Sequence, residues 1–393
     1  MIRHALVSCT EILLRLTPIR EHAVVTGWPS DEGNAVEIAR ELIRLEVPFA
    51  WLDAPSSTHL KILNIAPKES VRFLPKRSFR GYYAFLTSKC VFFTHGLYGN
   101  PRPVQGKVFV NLWHGDGPKK EGHSGEGKRP TVPADYFVSS SQVFAQYRAK
   151  ELGTPSSGIL MFGLPRQEQL LATNSIDSLK FIGIDPLKPF IVWLPTYRTS
   201  TGTGLVGGWK DGGSQDLRSY FSYVLGRLAS DGIQVVAKKH PLDAIDIEFE
   251  GLNVVSDSQI AEAGLTLYGL LGASDGLITD YSSVWIDYLM LDRPIGFLVP
   301  DEEKYTESRG LYPEDVMCSL PGHKLESSNN IGLFSSEIMG KASGSKLRDD
   351  ARARFGVVNL DKPAARLLEF LSIQGHLPEA KIKTIEVDRQ GKL

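Results

Sequence analysis

Short, almost wholly apolar runs separated by helix-length amphipathic segments recur along the chain, and this alternation constrains its fold more than any other feature. "HAVVTGW", "VFFTH", "KVFVNLWH" and "YFVSSS" in the first half, and "PFIVWLPT", "IQVVAKKHP", "GLNVVSD", "GLITD" and "PIGFLVP" in the second, read as strands. "NAVEIARELIRL", "SQVFAQYRAKEL", "DLRSYFSYVLGRLASDG", "TLYGLLGAS" and "SSVWIDYLMLD" read as helices. Strands without polar alternation must be covered on both faces, and crossover helices between them make neighbours parallel, so the pattern predicts α/β units with parallel sheets. At 393 residues the chain exceeds the roughly 250–300 at which one hydrophobic core stops growing, so two units are expected. We place them at residues 1–172 and 173–375, with a polar tail over 376–393. The junction is expected within "LATNSIDSLKFIGIDPLK", where a helix ends and a proline-containing segment precedes the strand from Phe190.

Charge and cysteine content narrow the function. Lys+Arg 44 against Asp+Glu 45 leaves a formal charge of -1, which argues against nucleic-acid binding by bulk electrostatics but leaves room for local phosphate sites. Cys9, Cys90 and Cys318 share no redox or metal-ligand spacing, which fits a reducing, cytoplasmic setting. The N-terminal "MIRHALVSCTEILLRLTPIR" is broken by Glu11 and Arg15, too short to span a membrane and without a cleavage site. It reads as a helix packed on the core, with an amphipathic helix lying on a membrane as the alternative.

Ligands of open α/β sheets sit beyond the carboxyl ends of strands, and this selects the candidate residues. In "GLITDYSSVWIDYLMLDRP" a strand ends at Thr279, and Asp280, Tyr281, Ser282 and Ser283 form the turn into a helix, where unpaired N–H groups and the helix dipole favour an anion. An ordinary Asp or Ser cap would satisfy the same turn. "VVAKKHPLD" ends a strand on Lys238, Lys239 and His240, and "LPTYR" brings Thr196 and Arg198 to another strand end. These donors suggest a phosphorylated or nucleotide ligand in the second unit. "TGTGLVGG" matches a dinucleotide fingerprint only superficially and reads as a loop, with a lid over the ligand as its possible use. In the first unit His114 follows "KVFVNLW", Gly115 and Gly117 permit close backbone approach to a ligand, and Lys119 and Lys120 add positive charge. An imidazole with an ordinary pKa near 6.5 makes His114 a candidate general base.

"NLWHGDGPKK", "FGLPRQEQLL", "LPTYR", "KKHP", "LITDYSSVWIDYLMLDRPIGFLVPD" and "YTESRGLYPED", taken in that order, make the chain resemble the CDP-glycerol glycerophosphotransferases, the teichoic-acid type polymerases and primases. The likeness is strongest over about residues 105–320. It implies the GT-B fold, two Rossmann-like domains facing a central cleft, with the acceptor bound mainly by the N-terminal half and CDP-glycerol by the C-terminal half. It also implies that His114, after Trp113, is the catalytic base and that His240, between Lys239 and Pro241, stabilises the pyrophosphate. Thr279 to Ser283 and the basic Arg198 and Arg309 match further donor-binding positions. Two departures stand out: Asp116-Gly117-Pro118-Lys119 replaces the family's usual Thr-Pro-Leu-Lys, and Glu168, preceded by Gln167, stands where an aspartate is usual. The implied reaction transfers glycerol phosphate from CDP-glycerol to a hydroxyl of a lipid-linked glycerophosphate or glycan acceptor, releasing CMP, in teichoic-acid-like or capsular polymer synthesis. It places the enzyme in the cytoplasm, peripheral on the inner face of the membrane. No cofactor is required; Mg²⁺ at Asp280 and Asp287 is the alternative to Asp280 acting as a cap. CDP-ribitol as donor, a nucleotide-sugar glycosyltransferase and an inert binder of anionic polymer are the competing readings.

Overall fold

A computed structural model describes residues 2–66, 70–120, 131–172, 174–195, 215–238 and 252–378. Two parallel sheets organise the chain. The first contains β1 (Arg20–Thr26), β2 (Phe49–Leu52), β3 (Val71–Leu74), β4 (Ser88–Phe93), β5 (Val108–Asn111), β6 (Tyr136–Val138) and β7 (Ile159–Leu160), in the order β3-β2-β1-β4-β5-β6-β7. The second contains β8 (Phe190–Trp193), β9 (Gln234–Lys238), β10 (Leu252–Val255), β11 (Gly276–Thr279), β12 (Ile295–Phe297) and β13 (His323–Lys324), in the order β10-β9-β8-β11-β12-β13. Every neighbouring pair is parallel. Strands such as "FAWL" and "FIVW" are buried along their whole length, as parallel strands covered on both faces must be.

In each sheet the chain builds outward on one side of a central strand and then on the other. The reversals fall between β1 and β4 and between β8 and β11, the points where open α/β sheets bind ligands.

The two units are joined by more than a linker. Phe144, on the helix Gln142–Leu152 that follows β6, stacks on Phe355 at 5.2 Å and meets Trp285 edge-on at 6.1 Å, inside the second unit's core. Tyr147 of the same helix stacks on Tyr312 at 4.1 Å. In return, the helix Pro363–Ile373 crosses back, and its Leu367, Leu368 and Leu371 belong to the core built around β1, β2, β4 and β5. Sequence continuity had grouped residues up to 375 with the second unit, whereas this helix buries its apolar stripe on the first. Leu377 lies in that same core, and Tyr136 and His376 are hydrogen-bonded at 3.1 Å, so the expected tail begins with packed residues.

The N-terminal helix Ile2–Leu16 does two things at once. Leu14 is buried in the core, while Ile12 and Leu16 are 54% and 76% exposed. Among the described residues no helix is long and apolar enough to cross a membrane.

Candidate functional site between the two sheets

The segment after β5 is held in an uncommon shape by partners from the first unit. Trp113 has φ +52°, a conformation that costs a non-glycine residue of order 1–3 kcal/mol and persists only where its surroundings impose it. Those surroundings are visible: its N–H donates to Asn111 Oδ1 at 2.9 Å, its carbonyl accepts from Asn34 Nδ2 at 3.1 Å, and the Arg148 guanidinium lies 5.6 Å over its ring. The next carbonyl, that of His114, accepts from Arg166 Nη1 at 2.7 Å. The backbone on both sides of the His114 side chain is therefore fixed.

The imidazole itself stands in an aromatic stack. His114 lies 4.0 Å from His95 with the rings 10° apart, and 4.0 Å from Trp113; Trp28 meets His95 edge-on at 5.3 Å. His95 Nδ1 is 2.9 Å from Thr94 Oγ1, and His114 Nδ1 makes a long contact of 3.5 Å with the Thr94 carbonyl. With Nδ1 donating there, the free lone pair of the neutral ring lies on Nε2.

Directly opposite stands the turn after β11. A Cβ on Gly115, whose φ is +143°, would lie 2.3 Å from Ser283 Oγ and 2.8 Å from Arg166 Nη2. One on Gly117 would lie 2.5 Å from Ser283 Cβ. The glycines expected to let the backbone approach a ligand thus let it approach the other unit. Lys119 pairs with Leu311 in an antiparallel bridge, Lys120 N–H donates to the Gly310 carbonyl at 3.1 Å, and Tyr312 N–H donates to the Pro118 carbonyl at 2.7 Å. The Lys120 ammonium is 3.9 Å from Glu314. These lysines act through their backbone as a clasp, beyond the charge expected of them.

The turn at Asp280 also differs from expectation. Thr279 Oγ1 donates to the Leu194 carbonyl at 3.0 Å, tying the ends of β11 and β8 across the reversal. Asp280 Oδ1 accepts from Ser282 N–H at 3.3 Å and Ser282 Oγ from Val284 N–H at 3.4 Å, while Ser283 occupies the cap position. Asp280 is therefore not the helix cap, and the helix is not a long amphipathic one. Val284–Tyr288 is a buried five-residue helix continued by the 3-10 turn Leu289–Leu291. Two amides expected to await an anion donate within the turn.

Beneath the site runs a buried ionic network that sequence reasoning missed. Arg166 Nη2 donates to Asp287 Oδ2 at 2.7 Å, Tyr268 OH donates to the same oxygen at 2.6 Å, and Gln167 Nε2 donates to Oδ1 at 2.9 Å. Asp287, weighed above as a metal ligand, is thus committed to an arginine, a phenol and an amide. Burial opposes the Arg166 charge, but Asp287, Tyr268 and Glu32 hold its pKa above the ordinary arginine range. Glu32 Oε2 caps the helix Gly33–Arg44 through the N–H groups of Asn34 and Ala35, and burial, outweighing Arg166 at 3.6 Å, pushes its carboxyl up to about 7. Asp116, the departure after the histidine-glycine pair, is buried; its Oδ2 accepts from both hydroxyls of Ser139 and Ser140 and from the Ser140 N–H, and burial raises its pKa. It fastens the loop to the end of β6. Glu168 accepts from Ala364 N–H at 3.0 Å and so anchors the returning helix.

Thr196, Arg198, Lys239 and His240, and the "TGTGLVGG" stretch, lie outside the described residues; Arg309 ends the helix Glu302–Arg309, and its side chain is likewise outside them. The strands that precede Thr196, Arg198, Lys239 and His240 are neighbours: β8 lies between β9 and β11. No cluster of metal-ligating side chains occurs among the described residues.

Two parallel α/β units whose strand ends meet at a histidine loop held by Asn34, Asn111 and Arg166 define a GT-B protein with an interdomain site. The chain belongs to the CDP-glycerol:poly(glycerophosphate) glycerophosphotransferase family, which matches residues 33–369. It is 29% identical over 224 residues to a teichoic acid ribitol-phosphate primase of Bacillus spizizenii, covering 52% of this chain and 54% of that one. It is 27% identical over 201 residues to a teichoic acid glycerol-phosphate primase of Bacillus subtilis, covering 50% and 48%. The matches thus span about half the length of these curated relatives. The fold is similar to that of the wall teichoic acid polymerase TagF, with TM-score 0.68, 18% identity and coverage of 94% of this chain and 93% of that one. It also resembles a UDP-N-acetylglucosamine 2-epimerase of Listeria monocytogenes, with TM-score 0.54, 15% identity and coverage of 93% and 100%.

Proposed function

We propose that the protein transfers glycerol phosphate from CDP-glycerol to an acceptor hydroxyl, releasing CMP and forming a phosphodiester. The observation that carries this reading is the loop of His114, held by Asn34 and Arg166 and abutting Ser283 through Gly115 and Gly117. That contact brings the backbone next to His114 against the strand-end turn of the other unit, which supports an interdomain reaction centre. His114 Nε2 takes the proton of the acceptor hydroxyl, whose oxygen attacks the glycerol-bearing phosphorus in line as CMP leaves. Phosphoryl transfer depends chiefly on positioning and on charge stabilisation. His240, Lys239, Arg198 and Arg309 are assigned that stabilisation from the family pattern, with Thr196, Ser282 and Ser283 as further donors. The scheme routes no step through Mg²⁺.

Family membership supports the donor class, and a TagF variant has been soaked with CDPG. The ribitol-phosphate primase among the relatives makes CDP-ribitol the second donor to test. The reading extends to teichoic-acid-like or capsular polymer synthesis with a lipid-linked acceptor; the teichoic acid primases among the relatives support the teichoic-acid part. Exposed Ile12, Leu16 and Ile19 beside Arg15 and Arg20, with Phe79 82% exposed nearby in the fold, support contact of this face with a membrane surface. Turnover measured in parallel with CDP-glycerol, CDP-ribitol and a nucleotide sugar tests the proposal: CMP from CDP-glycerol is expected, and reaction with the nucleotide sugar alone would replace it by a glycosyltransferase.

A further inference from the structure

The first sheet has its own ligand-binding position, the reversal between β1 and β4, and a cavity of about 490 Å³ opens there. Trp28 follows β1, Asp53 follows β2, Lys76 and Arg77 follow β3, and Tyr98 lies beyond β4; all five line it. We propose that this cavity binds a phosphate-bearing polyol, the glycerophosphate unit of the acceptor next to the one that reacts. The assignment rests on the transferase reading and extends it from the attacking hydroxyl to the unit behind.

Continuity with the reacting centre is the first argument. Trp28 contacts His95 at 5.3 Å, and His95 stacks on His114 at 4.0 Å, so the cavity wall and the base belong to one aromatic row. Trp28 nevertheless remains 62% exposed, a large indole face kept in water at the cavity mouth and suited to stack on the C–H faces of a polyol.

Charge is the second. Lys76 is half-buried, with Nζ donating to the Gly96 carbonyl at 3.2 Å, and burial lowers its pKa; a bound phosphate would restore the solvation its ammonium has lost. Arg77 beside it is exposed and offers a planar fork suited to phosphate oxygens. The turn carrying both is fixed in advance: Lys76 N–H donates to Asp53 Oδ1 at 2.8 Å, and Tyr98 OH donates to the Lys76 carbonyl at 2.5 Å. Asp53 adds a carboxylate acceptor beside the cations. An acyl chain uses neither charge, whereas a polyol phosphate has hydroxyls for the acidic side and an anion for the basic side.

Calorimetric titration with a three-unit glycerol phosphate oligomer tests this on wild type, Arg77→Gln, Trp28→Ala and Lys76→Gln. Arg77 and Trp28 are exposed, so their replacement leaves the fold intact even if Lys76→Gln does not. Binding to wild type, weakened at least tenfold in Arg77→Gln and Trp28→Ala with CDP-glycerol affinity unchanged, is expected. Equal affinity in all variants, no binding to wild type, or equally tight binding of inorganic phosphate would overturn the subsite. CMP release is read separately. Oligomer binding that depends on Arg77 without any CMP release upholds the subsite and removes the transferase reading, and CMP release with an unchanged acceptor KM in Arg77→Gln does the reverse.

Discussion

Asp287 receives three donors from two units, and removing one of them exposes how much the site leans on it. Arg166→Met leaves a buried carboxylate with Gln167 and Tyr268 alone and takes the donor from the His114 carbonyl. Breaking a buried pair in this way costs about 3–5 kcal/mol, to be read from denaturant midpoints; a loss below about 1 kcal/mol would contradict the role given to the pair. Glu32 gives a pH signature. Because its pKa is raised from 4.5 to about 7 in the folded protein, its contribution to stability is complete below 4.5 and is lost as pH rises toward 7. Glu32→Gln keeps the helix cap and should flatten thermal stability across that window; an unaltered pH dependence would show that Glu32 does not titrate there. His114 was legible because a histidine at a strand end, followed by glycines and lysines, is unusual in one line of text. Arg166 and Asp287 were not, since 121 residues separate them and neither has a local pattern, and His95 was quoted at the end of a strand without a partner to give it meaning.

The loops after β5 and β11 meet, and their contact is tight enough to test. Gly115→Ala would force a Cβ to within 2.3 Å of Ser283 Oγ at a backbone angle that L residues rarely adopt. Acceptor-dependent turnover should fall at least tenfold while each unit keeps its fold by circular dichroism; wild-type turnover would mean that the two loops need not meet. The expectation of parallel strands joined by helices was sound for every run quoted, because continuous apolar strands carry a strong signal. Edge strands such as β7 and β13, two residues each, are too short for any period to register, and "SSVWIDYLMLD", read as one helix, is a buried five-residue helix continued by a 3-10 turn.

Across the whole molecule, the two units share their structure in both directions. Phe144 enters the second core, and Leu367, Leu368 and Leu371 return to the first. A chain ended at residue 362 loses those three leucines, each worth about 1.5–3 kcal/mol of burial, and should melt well below the full chain; an unchanged Tm would show the crossover helix to be dispensable. An amphipathic helix announces that it will be buried but not on which sheet, so this crossover was not legible, whereas the two-unit α/β plan was. The proposed function requires these units to meet so that a base stands against a CDP-linked donor. Acceptor-dependent CMP release from CDP-glycerol, measured for wild type and His114→Ala together with donor affinity, tests it most directly. A fall of about 10²–10⁴-fold with donor binding retained is predicted; turnover that survives the substitution would contradict it.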